Sequence, residues 1–328
     1  MWPSSLIEVS GKWVLTGEHA VLRGFTAIAL PHPEVKLSLL FQPQVSTLGD
    51  LGGLTPLGDQ LGQVGDSAVL LNELNVSPAS SEKVVKQLVE KLCSRFEIKP
   101  GHQPRGSLTI ESTIPQGAGL GSSAALCVAL TRWFLDQGFG SEDGELKKRQ
   151  ELEVARELEG QFHGTSSGLD ISVVSLGKPI TFSKTRGPIP LLLTRIPYFT
   201  FHDTRVRSKT RDCIDRVAAI AQADLKRSEW LDEQMAAATR TALDGLVLYD
   251  RNQPREGILR VAAGMKQAHQ CFVEWGLLKD SAGVEFVEIE ELRVELKKKG
   301  ALEVKLTGSG GGGFLIALWP DPVVLPRA

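Results

Sequence analysis

The chain has 328 residues, 42% of them hydrophobic and 23% charged, which is enough for a sizeable core in one large or two ordinary domains. Its formal net charge of −2 leaves no basic excess to neutralise phosphates along a duplex, so a nucleic-acid-binding role is excluded. The four cysteines, at 93, 127, 213 and 271, stand singly and lack the paired spacing of a zinc site or a disulfide framework.

The opening MWPSSLIEVSGKW has no basic segment ahead of an apolar core, so no signal peptide is expected. No stretch approaches the roughly 18 to 20 uninterrupted apolar residues of a membrane span, and a cytoplasmic protein is expected. Residues 6–9 and 13–15 read as strand fragments around Gly11 and Lys12, followed by strand candidates at 26–30 and 35–39. The stretch 44–66, rich in Gly, Leu, Gln and Pro, lacks periodicity and reads as a long loop.

Ser80-Ser81-Glu82 opens a helix on which Val84, Val85, Leu88, Val89 and Leu92 recur at helical spacing. Residues 108–110 alternate as a strand and lead into PQGAGLGSSAAL, after which 124–135 form a helix apolar on nearly every side. A further helix is expected from 145 to 159, stopped by Gly160. Residues 171–176 and 180–182 resemble strands around Gly177. Near residue 187 the texture changes. Helical patterns then follow near 210–226, 231–248, 256–276 and 285–298, and the described order closes with strand-like 302–306, a glycine-rich loop and 314–318. This order suits two α+β domains, 1–186 and 187–328, better than a regular βαβ repeat.

Three loops carry candidate chemistry. A helix N-terminus has unpaired N–H groups and a partial positive charge, so PQGAGLGSSAAL is read as an anion-holding loop at the start of a helix. Its glycines admit the anion closely, and Ser122 and Ser123 offer hydroxyls to a phosphate or its metal; the alternative is an ordinary Gly/Ser-rich capping turn. Gly119 to Ala124 also fit the dinucleotide fingerprint, but no strand ending in an acidic residue follows at the required distance, and no P-loop motif occurs in the chain. The second loop, KLTGSGGGGF from Lys305 to Phe314, has five glycines in six positions, a density that admits a ligand or another main chain. The third comprises Ser10-Gly11-Lys12 and Thr16-Gly17-Glu18-His19-Ala20. Here Lys12 lies between apolar residues and must reach solvent or a partner, while Glu18 and His19 read by default as a surface pair beside a turn. Asp170, between apolar Leu169 and Ile171, reads as a carboxylate at a strand edge. Beside Lys12 it would make a base and cationic partner suited to activating a hydroxyl.

Taken together, the three loops resemble in order and spacing the three motifs of the GHMP kinase superfamily: residues 10–30 its N-terminal motif, 115–125 its phosphate loop, and 305–313 its C-terminal glycine motif. Within it, GEHAVL from Gly17 and HGTSSGLD from His163 are most similar to the mevalonate kinase family. Ser10 and Ser166 stand where that family usually has proline, which loosens the backbone without removing a functional group. The resemblance implies a ribosomal protein S5 domain 2-like N-terminal domain and a ferredoxin-like C-terminal domain carrying glycines 308–313, with the active site in the cleft between them. It implies Asp170 as catalytic base and Lys12 as its electrostatic partner. Gly117, Ala118, Gly119, Leu120, Gly121, Ser122 and Ser123 would hold ATP. Ser123 and Glu159, eleven residues before Asp170, would hold magnesium. Glu18, His19, Thr307 and Gly308 would face the substrate, His19 as a hydrogen-bond donor. The implied reaction is phosphorylation of a small-molecule alcohol, mevalonate first and phosphomevalonate or a sugar as alternatives, by a cytoplasmic homodimer. A silent ligand-binding protein of the same fold would be expected to lose the base, the lysine or the metal ligands, and all four are present.

Overall fold

The computed structural model describes residues 2–44, 74–99, 101–163, 167–207, 210–280 and 283–320. Nearly all of the loop expected at 44–66 therefore lies outside the described residues, as does Ser166.

The two fragments expected around Lys12 are one strand, β1 (Ser5–Thr16), and the next two candidates are one long strand, β2 (Ala27–Pro43). The interruptions seen in the sequence are register shifts: the antiparallel β1–β2 pairing slips between Ser10 and Lys12 and again between Val14 and Thr16. Such bulges re-aim side chains without ending a strand. A short 3-10 turn, His19–Arg23, begins the connection between the two strands.

Along its other edge β2 pairs with β4 (Gly106–Ser112) and then with β5 (Ile180–Ser183). β3 (Leu74–Ser77) lies parallel to β4, and β6 (Gly187–Pro190) lies antiparallel to β5. Since β6 still belongs to this sheet, the change of sheet falls after Pro190, a few residues beyond the expected boundary at 186/187. The second sheet has the order β7 (Tyr198–Asp203), β9 (Phe314–Trp319), β8 (Glu303–Leu306), all antiparallel.

The first sheet is covered by α1 (Glu82–Arg95), α2 (Ser122–Phe134), α3 (Gly144–His163) and α4 (Leu169–Leu176). The second is accompanied by α5 (Thr210–Ala223), α6 (Leu225–Asp250), α7 (Pro254–Glu274) and α8 (Val287–Lys298). α2 is buried on nearly every side, as its composition requires: Ala124, Ala125, Val128, Leu130 and Trp133 are all fully covered. Trp133 meets Phe41 of β2 at 4.8 Å between ring centroids. An anchor of this size costs about 3–5 kcal/mol when truncated to alanine. Among the described residues no helix is long and apolar enough to cross a membrane.

Two expectations need correction. Residues 171–176 are not a strand but most of helix α4. A short apolar run buried all round has no periodicity to separate the two states. The local hydrogen bonds decide it, because both the amide and the hydroxyl of Ser172 donate to the Gly168 carbonyl, at 3.0 and 2.6 Å. Asp170 consequently stands in the first turn of a helix, not at a strand edge. Gly160 does not end α3 either; the helix continues through it to His163.

Candidate active site

The β1 bulge turns Lys12 towards the loop before α2. Its backbone N–H donates to the Leu120 carbonyl at 2.9 Å, and its side chain, 5% exposed, runs beneath Gly121 to reach Asp170. A β-carbon on Gly121, whose φ is +81°, would lie 2.7 Å from the Lys12 Cγ. Glycine is therefore required there by the lysine as well as by the backbone angle. The Lys12 ammonium lies 2.8 Å from Asp170 Oδ2, with the carboxylate side chain 34% exposed. An almost fully buried cation thus meets a carboxylate open to a cleft.

Two cavities meet at this pair. One, of about 520 Å³, is lined by Gly117, Gly119, Leu120, Gly121, Ser122 and Ser123, together with Asp170 and Thr210. The other, of about 160 Å³, is lined by Lys12, Glu18, His19, Glu159, Gly308 and Ser309, again with Asp170 and Thr210. The larger has the N-terminus of α2 as its wall and suits an anion. The smaller has a mixed wall, with Val14, Val21, Leu22, Leu169 and Ile214 beside those polar groups. Asp170 and Thr210, at the first turn of α5, are common to both.

Of the two expectations for the glycine-rich loop, a ligand or another main chain, the second is met at Gly313. A β-carbon on Gly313 would sit 2.7 Å from the Ala118 carbonyl oxygen, so this part of the loop is thinned to admit another main chain. Gly313 also donates its amide to the Val206 carbonyl at 2.8 Å and accepts from the Thr204 hydroxyl, also at 2.8 Å. Thr307, expected at the substrate, has its buried hydroxyl in a clasp on β1: it donates to the Val14 carbonyl at 2.9 Å and accepts from the Val14 amide at 2.8 Å. Both partners lie in the β1 backbone, which leaves the hydroxyl committed. Gly308 does line the small cavity, whereas Ala118, buried, lines neither.

Glu18 and His19 are not a surface pair; they are 7% and 2% exposed. His19 Nε2 donates to the Ser309 carbonyl at 2.7 Å. A carbonyl only accepts, so Nε2 carries the proton of the neutral ring, and burial lowers the His19 pKa to about 4. Nδ1, which has no hydrogen-bond partner among the described residues, is then an acceptor, where a donor towards the substrate was expected. Glu18 is met by Lys305 of β8, whose ammonium donates to Oε1 at 2.5 Å. Burial pushes the Glu18 carboxyl up and the Lys305 ammonium down. Thr210, Ser309 and Lys305 were assigned no role from sequence. Lys305 carried a signal of its own, since it sits between apolar Val304 and Leu306 just as Lys12 sits among apolar neighbours.

Ser123 lines the anion cavity from the first turn of α2, and Glu159, 3% exposed, lines the small cavity from α3. The Glu159 carboxylate is near enough to α2 to help hold the Cys127 thiol up, after burial itself. Among the described residues no three or more His, Cys, Asp or Glu gather as a protein metal centre. A hydroxyl on the anion cavity and a buried carboxylate on its neighbour are nevertheless the kind of hard oxygen donors magnesium uses when phosphates complete its shell.

The fold agrees with comparisons to known proteins. The family described as "GHMP kinases N terminal domain" matches residues 83–178, and "GHMP kinases C terminal" matches residues 256–325. The chain belongs to the GHMP kinase superfamily. It is a GHMP-family kinase of the mevalonate kinase-like type. It is 29% identical to a mevalonate kinase of Aeropyrum pernix, over 95% of this chain and 87% of that protein. With a mevalonate kinase of Arabidopsis thaliana it shares 28% identity over 97% and 91%. In structure it is similar to L. major mevalonate kinase in complex with R-mevalonate, with a TM-score of 0.71 at 19% identity, covering 97% and 87% of the two chains. The fold is shared with Lactococcus lactis galactokinase at a TM-score of 0.65 and 16% identity, covering 97% and 86%.

Proposed function

We propose that the protein phosphorylates the 5-hydroxyl of mevalonate with ATP, giving 5-phosphomevalonate and ADP. The observation that carries this reading is Asp170, ion-paired to Lys12 and lining both the anion cavity and the small cavity beside it. The mevalonate kinase names of the relatives supply the particular alcohol.

In this reading the triphosphate lies along the amides of 117–122, and the alcohol occupies the small cavity. Asp170 accepts the hydroxyl proton as the alcohol oxygen bonds to the γ-phosphorus. The bond from that phosphorus to the β-bridging oxygen breaks, and its electron pair leaves with ADP. Lys12 stabilises negative charge growing on the attacking oxygen and the transferred group. Ser123 and Glu159 would hold magnesium, which when bound neutralises charge on the β- and γ-phosphates. Catalysis of this kind is chiefly positioning and charge neutralisation.

A phosphorylated acceptor is the second reading, since the fold is also that of Streptococcus pneumoniae phosphomevalonate kinase, at a TM-score of 0.63, 12% identity and 97% and 93% coverage. The small cavity speaks against it. Lys12 is the one lysine or arginine among its described lining residues, and Arg207 nearby in sequence is engaged by Asp203 through two 2.7 Å hydrogen bonds. A cytoplasmic location and a homodimer rest on the family resemblance and are proposed with it. The test is ADP release by purified protein with ATP, magnesium and, in turn, mevalonate, phosphomevalonate and galactose. Release above background with mevalonate is expected; release with another alcohol instead reassigns the substrate.

A further inference from the structure

Ser123, Glu159 and Asp170 line the cleft from three different helices, α2, α3 and α4. One carboxylate ties the same three helices together away from the cleft. Glu151 of α3 is 5% exposed and lines neither cavity. Its Oε1 accepts from the Arg132 guanidinium of α2 at 2.8 Å, from the Ser175 hydroxyl of α4 at 2.7 Å and from the Lys148 ammonium at 3.1 Å. Its Oε2 accepts from Arg132 Nε at 3.2 Å, which completes a bidentate pair. Arg132 also donates to the Ser175 carbonyl at 3.2 Å, and Lys148 donates to that carbonyl too. It belongs to the last turn of α4, where carbonyls lack a partner within the helix and cations are favoured. Burial by itself pushes the Glu151 carboxyl up, but Arg132, Lys148 and Ser175 outweigh it and hold the group below the usual carboxylate range. Glu151 is therefore charged at neutral pH.

We propose that Glu151 is a positioning residue: with Arg132 and Ser175 it locks α2, α3 and α4 in one register, and so sets where the Asp170 carboxylate stands relative to the anion loop that opens α2. The assignment rests on the kinase reading above and adds to it a residue that touches neither ATP nor alcohol. At 1.5 Å per residue, Arg132 lies about 13 Å from Ser123 along its helix, Glu151 about 12 Å from Glu159 and Ser175 about 7 Å from Asp170. The shortest of these levers is the weakest alone. α4 has eight residues, too few for a helix to persist without neighbours. Ser172 fastens its start to the Gly168 carbonyl, and Ser175 fastens its end to Glu151. Releasing that end moves Asp170 while the anion loop keeps its place.

The test separates placement from stability. kcat, KM for ATP and the urea midpoint are measured for wild type, Glu151→Gln and Glu153→Gln with the alcohol that the protein phosphorylates. In Glu151→Gln the amide NH2 opposes donors that the carboxylate accepted. The variant is expected to lose about 10- to 100-fold in kcat while fully folded, with KM for ATP unchanged, the cost of a displacement of about an ångström or less. Glu153, two residues along α3, makes an exposed ion pair with Arg95 of α1 at 3.1 Å; such pairs contribute little, so Glu153→Gln should retain wild-type kcat. A tie that is merely structural lowers the midpoint and leaves the kcat of folded protein at the wild-type value. Should Glu151→Gln not fold, Arg132→Leu with Glu151→Leu decides, because exchanging both members of a buried pair for apolar groups commonly preserves a fold. It still releases α4, and the same fall in kcat is expected. Wild-type kcat in the folded variant, or an equal fall in Glu153→Gln, overturns the assignment while leaving the kinase reading intact. Absence of turnover by wild type with every alcohol overturns both.

Discussion

Lys12 and Asp170 come from different secondary elements, a bulged strand and the first turn of a helix, and their side chains close to 2.8 Å at the mouth of two adjoining cavities. The lysine is held by what surrounds it: its amide by Leu120, its methylene stem by Gly121 and its ammonium by Asp170. Little freedom remains for it to adopt any other pose.

Lys12→Met keeps the apolar stem and removes the charge. The expected result is a fall in kcat of about 10²–10⁴, typical of losing a group that stabilises the transferring phosphoryl, with a smaller effect on KM for ATP. Steady-state kinetics with ATP varied at saturating alcohol checks it. An unchanged kcat would remove the lysine from the chemistry.

Gly121→Ala tests how the stem is housed. The new β-carbon would overlap the Lys12 Cγ, and the residue would be held at a φ of +81°, which costs an L-residue roughly 1–2 kcal/mol. Displacement of the lysine by an ångström is expected to lower kcat/KM by about 10²-fold. Urea titration beside kinetics separates the two effects.

Thr307→Val should destabilise the protein without touching substrate. It preserves shape but leaves the buried Val14 amide and carbonyl without the hydroxyl that serves both. Leaving such groups unmet costs about 1–3 kcal/mol each, whereas Thr307→Ser keeps the hydroxyl and should retain most of the stability. The check is a denaturation midpoint for each variant.

Acid should destabilise the fold through histidine. His19, His32 and His269 are buried, and burial lowers each to about 4 from the usual 6.5. Between those values the unfolded chain binds more protons than the native one. Stability conferred by keeping the rings neutral is therefore full above pH 6.5 and lost as the pH falls towards 4. Each histidine contributes a slope of about 1.4 kcal/mol per pH unit inside that window. Denaturant titrations at several pH values should show the decline, and a flat profile between pH 6.5 and 4.5 would contradict it.

Much of the cleft could be read from the residues themselves. Lys12 announced itself as a cation among apolar neighbours, and the helix start at Ser122 was marked by glycines and serines ahead of an apolar run. The secondary element of Asp170 was not legible, because a short and mostly buried run such as LDISVVSL carries neither the alternation of a strand nor the stripe of a helix. The hydrogen bonds of Thr307 and His19 were not legible for another reason. Their partners are the backbone of Val14 and Ser309, and backbone groups are the same in every sequence. The crowding of glycines at 308–313 signalled close approach, yet only the coordinates showed that at Gly313 the approaching group is the Ala118 carbonyl.

The central claim is that Asp170 takes the proton from the alcohol that receives the phosphoryl group. Its most direct test is ADP formation by wild type and Asp170→Asn, purified in parallel and given the same ATP, magnesium and mevalonate. The asparagine variant is expected to fold and to turn over about 10²–10⁴-fold more slowly. Equal rates in the two proteins would contradict the assignment.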